Sequence, residues 1–550
     1  MTRGKRPPPA LPRPSSEKFS RMIARVARLS GWRRGLSAFA SGAVSCLALP
    51  PFNVVIFLFA SYVVLVWLID GVCLAASDTE GGIGVGAKRR AAAAFRVGWL
   101  FGFGQFLAGL YWISNALLVD AQAFGWAVPI AAVLLPAGLS FFPALGLAVA
   151  GWFWSPGSGR VFLLAACWVV AEWLRGHVLT GFPWNLIGYA WVDNDGMRQS
   201  AALFGIYGLS LVTVLLAAVP AVLTRGAWRT WSVRAFVGAI VGAVCMLWVW
   251  GSARVGPFPG KTHPGIQLRV VQPNIDQHLK WRSDRREHNL ERHLRLSSGP
   301  GASAVSHLVW PEAATPYYLD RDSGARRRIS QVLEANQLLL AGSLRAETGP
   351  DGSVKFWNGF HGIDGAGTVV ATYDKSHLVP FGEYLPIRSV LSRLGLDQIA
   401  HGLSDYSAGS GRKTLEMPRT PPFSPLICYE VIFPGDVAKQ SPRPSWLLNL
   451  TNDAWYGLST GPYQHLAMAR MRAVEEGLPL VRSANTGVSA IVDPYGRLIA
   501  RLGLGEAGVI DGPLPLGLES KPIFVRWRDA GFAGLLLIFL LVGRVFRHKH

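Results

Sequence analysis

Long runs of apolar residues dominate the first 255 positions of the chain and return near position 530. About 20 apolar residues in a helix cross the hydrocarbon core of a bilayer. Eight such runs cannot share one water-soluble core, so the pattern predicts a polytopic helical membrane bundle. The fifth run is short, and Pro50 and Pro51 interrupt the first. The predicted spans are about 35–52, 54–76, 95–118, 126–150, 161–174, 201–224, 233–252 and 529–546.

Residues 261–520, between the seventh and eighth predicted spans, have a different pattern. Short β-rich runs alternate with segments of helical periodicity, which is typical of a layered α/β domain. Helices are predicted at 282–297, 323–337 and 462–477. Strands are predicted at 266–271, 307–310, 338–341, 368–373, 426–429, 446–450, 488–492 and 508–511.

The net charge of +20 would by itself suggest a nucleic-acid partner. The 261–520 block holds 27 basic and 25 acidic residues, however, so its net charge is only +2. The remaining +18 belongs to the apolar part and the tails, where it marks membrane topology, and no nucleic-acid partner is expected. The predicted organisation is a basic, Pro-rich tail at 1–34, a membrane domain of about seven helices at 35–255, a catalytic domain at 261–520, and a last span with a basic tail at 525–550.

Basic residues predict the orientation of the bundle, because cytoplasmic loops collect Lys and Arg. They follow the second, fourth, sixth and eighth spans, and none follow the first and third. Arg175 and Arg198, after the fifth span, are a mild exception. Both termini are therefore predicted to be cytoplasmic and the 261–520 domain extracytoplasmic. The basic residues that carry this prediction are Lys88, Arg89, Arg90, Arg160, Arg225, Arg229, Arg234, Arg544, Arg547 and Lys549.

Cysteine use is sparse, with five Cys in 550 residues, and it excludes a disulfide scaffold. Four of them fall in predicted spans, where small buried thiols are common. Cys428 is alone in the 261–520 domain, so it has no disulfide partner there. Two interpretations stay open from composition alone: an inert buried thiol or a reactive one. The four Cys in the spans are Cys46, Cys73, Cys167 and Cys245.

Three predicted strands end in chemically useful side chains. Glu312 follows the strand at 307–310, Lys375 follows the strand at 368–373, and Cys428 ends the Pro-Leu-Ile run. Such residues could converge on one edge of a sheet, where α/β sites form. A thiolate is a nucleophile, a carboxylate can take its proton, and an ammonium can stabilise an oxyanion. Taken singly, Glu312 or Lys375 would more often be a salt-bridged surface residue.

The twelve His residues show no H-E-x-x-H motif and no Cys/His spacing for a metal. We therefore expect no metal and no diffusible cofactor.

The motifs of this domain, in order, are WPE, YDKSHLVPFGEYLP, ICYE, NLTNDAWYG and GPYQHLAMARMRAVEEGLPLVRSANTG. The motifs, taken in this order, resemble those of the nitrilase (carbon–nitrogen hydrolase) superfamily. With seven predicted spans before the domain and one after it, the chain is similar to the membrane-bound acyltransferases of that superfamily. The resemblance implies an αββα sandwich on a membrane bundle.

The resemblance also implies roles for individual residues. Glu312 in WPE matches the general base, Lys375 in YDK the catalytic lysine, and Cys428 in CYE the nucleophile. Glu383 in FGE matches a second acidic residue that supports the lysine and the intermediate.

Four further positions match the family pattern around the reactive trio. Tyr429 and Glu430 match positions beside the nucleophile on which the family depends. Trp281 in NIDQHLKW matches a tryptophan on a mobile loop near the lipid entrance, and Asn358 in FWN matches a further site position. The N-terminal extension of about 30 residues has no counterpart in the motif set.

The activity implied by the resemblance is ping-pong acyl transfer. The acyl donor would be a phospholipid, and phosphatidylethanolamine is the one expected. A thioester would form on Cys428. The acceptor would be the α-amine of an N-terminal S-diacylglyceryl-cysteine of an apolipoprotein. The implied location is the bacterial inner membrane, with the catalytic domain periplasmic.

Two other functions stay open from the residues alone. The same trio could serve a membrane-tethered amidase or nitrile hydrolase that uses water as acceptor. It could also be structural, in a transporter or receptor without catalysis.

Overall fold

The computed structural model describes residues 22–77, 83–223, 230–386, 388–391, 393 and 405–547. Most of the predicted basic tail, residues 1–21, lies outside these ranges. So do three of the basic residues used for the topology, Arg225, Arg229 and Lys549.

Eight α-helices of twelve or more residues precede the α/β domain in the described chain, and they form a membrane bundle. They are α1 (Gly31–Ser45), α2 (Ile56–Ser77), α3 (Ile83–Gly109), α4 (Val128–Leu139), α5 (Phe141–Trp152), α6 (Arg160–His177), α7 (Ala201–Ala218) and α8 (Trp231–Arg254).

Five helical segments among the described residues are long and apolar enough to cross a membrane. The predicted fourth span is one of them, although it divides into α4 and α5 at Ser140. Three other predicted spans are helical but shorter or more charged, namely 35–52, 161–174 and 529–546. The five segments are Ile56–Cys73, Val85–Gly109, Ala121–Trp152, Ala201–Leu223 and Trp231–Arg254.

Small residues let the first helices of the bundle approach closely. A Cβ atom added at Gly42 of α1 would lie 1.9 Å from the carbonyl oxygen of Phe101 in α3. One added at Gly104 of α3 would lie 2.0 Å from the carbonyl oxygen of Phe39. Contact of this kind between membrane helices depends on glycine, because lipid gives no hydrophobic drive for helix association.

The α/β domain contains two six-stranded sheets. The first has the order β12-β1-β2-β3-β4-β5 and the second the order β11-β10-β9-β8-β7-β6. The pairs β1–β2, β2–β3, β7–β8 and β8–β9 are parallel. The strands are β1 (Thr262–Gln272), β2 (His307–Trp310), β3 (Leu338–Thr348), β4 (Val354–Asp364), β5 (Val369–Asp374), β6 (Leu415–Met417), β7 (Thr420–Ile427), β8 (Trp446–Thr451), β9 (Leu480–Ala484), β10 (Ser489–Val492), β11 (Leu498–Leu502) and β12 (Gly508–Pro515).

The two sheets face each other across one apolar core. Phe360 of β4 packs edge-on against Phe423 of β7, with ring centroids 5.5 Å apart. The outer face of the first sheet is covered by α9 (Arg286–Ser297) and α10 (Ser323–Ser330). The outer face of the second sheet is covered by α11 (Gly461–Glu476). These four layers are the αββα sandwich that the motifs imply.

Several predicted element bounds need correction. The helix predicted at 323–337 ends at Ser330, and the strand predicted at 426–429 ends at Ile427. Four strands have no counterpart among the predicted ones, because each is short or interrupted by polar residues and glycine. They are β4, β6, β9 and β11.

The sandwich is attached to the bundle at both ends and along α11. Helix α8 runs into β1, and β12 runs into α12 (Ile523–Trp527) and α13 (Asp529–Val545). Gln464 of α11 accepts hydrogen bonds from the indole N–H groups of Trp112 and Trp184, at 3.0 and 2.7 Å. Buried polar contacts of this kind fix the height of the sandwich against the bundle. The predicted domain bounds at 255, 261, 520 and 525 stay predictions.

Candidate active site

The predicted reactive residues follow three strands at the points where those strands end. Glu312 lies two residues after β2, Lys375 directly after β5 and Cys428 directly after β7. Because β2 and β5 belong to the first sheet and β7 to the second, the prediction of a single sheet edge is wrong. The site lies where the ends of two facing sheets meet, and this arrangement follows from the sandwich.

A buried network joins two carboxylates, one ammonium and one amide. The Nζ atom of Lys375 lies 2.8 Å from Oε2 of Glu383 and 3.9 Å from Oε1 of Glu312. The Nδ2 group of Asn358 donates to Oε1 of Glu312 at 2.6 Å and to Oε1 of Glu383 at 3.1 Å. The Asn358 side chain thus bridges the two carboxylates, and the main-chain carbonyl of Asn358 accepts the main-chain N–H of Lys375 at 2.8 Å.

Burial disfavours the charged forms of Glu312 and Lys375, and the opposite charges of the network favour them. Burial raises the pKa of Glu312, Glu383 raises it further, and Lys375 lowers it, with a net value above that of an ordinary glutamate. For Lys375, burial lowers the pKa, but the Glu383 and Glu312 carboxylates more than compensate. Lys375 is therefore a stable cation, and Glu312 is a stronger base than an exposed glutamate.

Cys428 sits on a strained turn between β7 and the following short helix. Its φ angle of +49° lies in the left-handed region, which residues with a Cβ seldom occupy. Burial raises the pKa of the Cys428 thiol to about 12, Glu312 raises it as well, and Lys375 lowers it. The free side chain is therefore a thiol at neutral pH, and it needs a base to become a nucleophile.

Glu430 fixes the Cys428 turn to the loop that carries Lys375. Its Oε2 atom accepts the main-chain N–H of Ile427 at 2.8 Å. Its Oε1 atom accepts the hydroxyl of Tyr373 at 2.7 Å and both the N–H and the hydroxyl of Ser376 at 2.8 Å. One carboxylate therefore sets the relative position of two strand ends from different sheets.

Tyr429 and Trp281 lie around the centre and not within its charged network. The hydroxyl of Tyr429 donates to the carbonyl of Gly181 in the membrane domain at 2.9 Å. Trp281 is 44% exposed and directly follows the short helix Gln277–Lys280.

A second buried cluster lies behind the nucleophile and has no role in the sequence-based assignment. His465 Nε2 is 3.3 Å from the carbonyl oxygen of Cys428, and Nδ1 is 2.9 Å from Oδ1 of Asp453. Arg482 donates to Oδ2 of Asp453 at 2.6 Å. Burial by itself raises the pKa of the Asp453 carboxyl. Arg482 and His465 lower it by more, to about 2. Both Asp453 and His465 stand inside the motifs quoted above, which is the signal that could have singled them out.

Lys280 is a further residue that the sequence-based assignment leaves out. It is buried, and its Nζ group donates to the main-chain carbonyl of Glu312 at 3.0 Å. Its only sequence signal is its place next to Trp281 in the NIDQHLKW motif.

Within the described ranges, no group of three or more His, Cys, Asp or Glu side chains is arranged to hold a metal ion. The expectation that the protein works without metal or cofactor stays a prediction.

The fold and the buried Glu–Lys–Cys centre define a membrane-anchored protein of the carbon–nitrogen hydrolase class. The carbon–nitrogen hydrolase model matches residues 267–520, and the apolipoprotein N-acyltransferase N-terminal domain model matches residues 41–219. Among solved structures, a mutant of the Nesterenkonia AN1 amidase from the nitrilase superfamily is 19% identical, covers 51% of this chain and 99% of its own, and has a TM-score of 0.36.

Two relatives that match nearly the whole chain carry the same name. The apolipoprotein N-acyltransferase of Rhodopseudomonas palustris is 43% identical, over 95% of this chain and 97% of its own. That of Bradyrhizobium diazoefficiens is 44% identical, over 94% and 96%. The chain belongs to the apolipoprotein N-acyltransferase family, and it is a membrane-bound acyltransferase.

Proposed function

We propose that the protein transfers an acyl chain from a phospholipid to the N-terminal amine of an apolipoprotein through a thioester on Cys428. The observation that carries this proposal is the buried convergence of Glu312, Lys375 and Cys428 in a domain docked on membrane helices. The names of the full-length relatives support it. The donor is phosphatidylethanolamine, and the acceptor is the α-amine of an S-diacylglyceryl-cysteine.

In the first half-reaction, Glu312 accepts the proton of the Cys428 thiol. The sulfur attacks the carbonyl carbon of the sn-1 ester, and the negative charge that develops on the carbonyl oxygen is stabilised by the Lys375 ammonium. One such preorganised donor contributes roughly 3–4 kcal/mol. The ester C–O bond then breaks, and the leaving alkoxide takes the proton back from Glu312. The products are a lysophospholipid and the acyl thioester.

In the second half-reaction, the α-amine of the apolipoprotein attacks the thioester carbonyl carbon. Glu312 accepts a proton from the amine as the C–N bond forms, as a general base does. The C–S bond breaks, and the departing thiolate of Cys428 takes that proton from Glu312, which becomes ionised again. An amide and a free thiol result, so the enzyme is ready for another phospholipid.

Both substrates are held in the bilayer by acyl chains, and this explains why the sandwich is joined to a helical bundle. Each buried CH₂ group contributes about 0.8 kcal/mol to lipid anchoring, so a soluble domain would have to extract its substrates at a large cost. Contacts such as Gln464 with Trp112 and Trp184 hold the site at a fixed height instead. We place the protein in the bacterial inner membrane, with both termini cytoplasmic and the catalytic domain periplasmic.

A depletion strain tests the proposed function in the cell. In a bacterium that has lost its own acyltransferase, the wild-type chain should restore triacylated lipoproteins. Cys428→Ala should accumulate the diacylated form, seen by mass spectrometry of lipoprotein N-terminal peptides. Full complementation by Cys428→Ala would refute the proposal. The exposed residue Lys355 lies in the same domain, and Lys355→Met serves as the control for expression and membrane insertion.

A further inference from the structure

Lys280 is a buried cation placed against the main chain of the general base. Only 3% of the residue is exposed. Its Nζ group donates to the carbonyl oxygen of Glu312 at 3.0 Å. An ammonium has three N–H donors, and this is its one hydrogen bond to the described part of the protein. Desolvating an ammonium costs several kcal/mol unless nearby charge compensates.

No carboxylate within the described ranges makes an ion pair with Lys280. Burial lowers its pKa to about 8, while the Glu312 carboxylate and the Cys428 sulfur raise it. The ammonium thus interacts with both reacting groups, although it touches neither carboxylate oxygen. The Nζ atom of Lys280 also lies 5.7 Å from the centroid of the Trp281 ring.

The charges of the network formed by Glu312, Glu383 and Lys375 balance only when Lys280 is counted. Glu312 and Glu383 contribute two negative charges, and Lys375 contributes one positive charge. Lys280 supplies the second positive charge. The negative charge of Asp453, behind Cys428, is compensated separately by Arg482 at 2.6 Å.

We propose that Lys280 is a positioning residue of acyl transfer: it fixes the main chain at Glu312 and keeps the Glu312 carboxylate ionised, ready to accept the Cys428 proton. This inference rests on the proposed roles of Glu312 and Cys428. Burial and Glu383 favour the protonated form of Glu312, whereas Lys375 and Lys280 favour the ionised form. Lys375 has the larger effect of the two and Lys280 adds to it, so without Lys280 only Lys375 and the Asn358 amide oppose burial and Glu383.

Other groups around Lys280 leave this assignment unchanged. His293 of α9 also interacts electrostatically with Lys280. Burial lowers the pKa of His293 to about 4, so it is neutral near neutral pH. The Asn289 amide donates to the main-chain carbonyl of Lys280 at 3.0 Å and fixes its backbone.

The test is the pH dependence of the first half-reaction in three variants. The enzyme in detergent micelles receives phosphatidylethanolamine with a labelled sn-1 acyl chain and no acceptor. Thioester formed on Cys428 in a single turnover is quantified between pH 5 and 9. The variants are Lys280→Met, Lys280→Arg and, as the matched control, Lys261→Met, which removes an exposed lysine paired loosely with Glu519.

Lys280→Met should shift the acid limb of the rate profile to higher pH by about one unit, since an opposite charge nearby changes a carboxyl pKa by that order. Below the midpoint the rate should fall about tenfold, and the loss should shrink as the pH rises. Lys280→Arg and Lys261→Met should keep the wild-type midpoint.

A uniform loss at every pH, or a wild-type profile in Lys280→Met, would overturn the role of Lys280. If Lys280→Met does not fold, Lys280→Gln takes its place, because its amide can still donate to the Glu312 carbonyl but carries no charge. The absence of thioester in the wild-type enzyme would instead refute the proposed function itself.

Discussion

The ion pair between Lys375 and Glu383 gives a quantitative prediction. The Nζ and Oε2 atoms lie 2.8 Å apart, and both side chains are nearly buried. At an effective dielectric constant of 20, Coulomb's law gives about 6 kcal/mol for this contact, against about 4 kcal/mol for the longer Lys375–Glu312 pair. Glu383 is therefore the main partner of the lysine, and it leaves Glu312 free to act as base.

The perturbation is Glu383→Gln, which keeps the shape of the side chain and removes its charge. In the described network, Glu312 is then the only carboxylate partner left to Lys375, and the Lys375 ammonium should move toward Glu312. The closer contact between Lys375 and Glu312 recovers part of the lost Coulomb energy. We therefore expect the free energy of unfolding to fall by about 3–5 kcal/mol, which is typical for breaking a buried pair. Because Glu312 becomes a weaker base and Lys375 leaves its place, thioester formation should slow by about 100-fold.

Two assays check these values: thermal unfolding in detergent and single-turnover acylation of Cys428. Glu347→Gln is the matched control, because Glu347 pairs with Arg345 at 2.8 Å on the surface with 61% of its side chain exposed. An exposed pair contributes only about 0–1 kcal/mol, so this variant should keep wild-type stability and rate. A folded Glu383→Gln enzyme that acylates at the wild-type rate would refute the reasoning.

Three further outcomes follow from the same geometry. Tyr429→Phe removes the hydrogen bond to Gly181 and should lower stability by about 1 kcal/mol in thermal unfolding; an unchanged melting temperature would contradict this. Glu430→Gln should leave Ile427 N–H or a partner on the neighbouring loop unsatisfied and slow thioester formation at least tenfold, measured by mass spectrometry; a wild-type rate would count against its role. Because burial and Glu383 raise the pKa of Glu312, and the base must be ionised, the acylation rate should fall on acidification with a midpoint above that of an ordinary glutamate; a midpoint at or below the ordinary value would contradict the assignment.

The reactive trio could be predicted from sequence because each member stands within two residues of the end of an apolar strand. The runs before Glu312, Lys375 and Cys428 are short and β-rich, so their ends could be located without a structure. Their meeting place could not be located in this way. The position of the site depends on how the two sheets pack face to face. The residue pattern of a single strand carries no information about which sheet that strand joins.

The supporting groups were harder to predict for a different reason. Asn358 lies on β4, whose sequence contains polar residues and glycine, and its place between two carboxylates depends on the register of β4 with β5. Lys280 and His465 act through main-chain carbonyl oxygens of Glu312 and Cys428. No residue-type pattern marks a contact with a carbonyl oxygen, and only a folded structure brings such partners together.

The central claim is that Cys428 carries the acyl chain, and mass spectrometry of the intact enzyme tests it most directly. After incubation with phosphatidylethanolamine and no acceptor, the peptide that contains Cys428 should gain the mass of one acyl group. Hydroxylamine should remove that group, and an apolipoprotein amine should discharge it. An unmodified Cys428 in folded enzyme that still yields triacylated product would contradict the account.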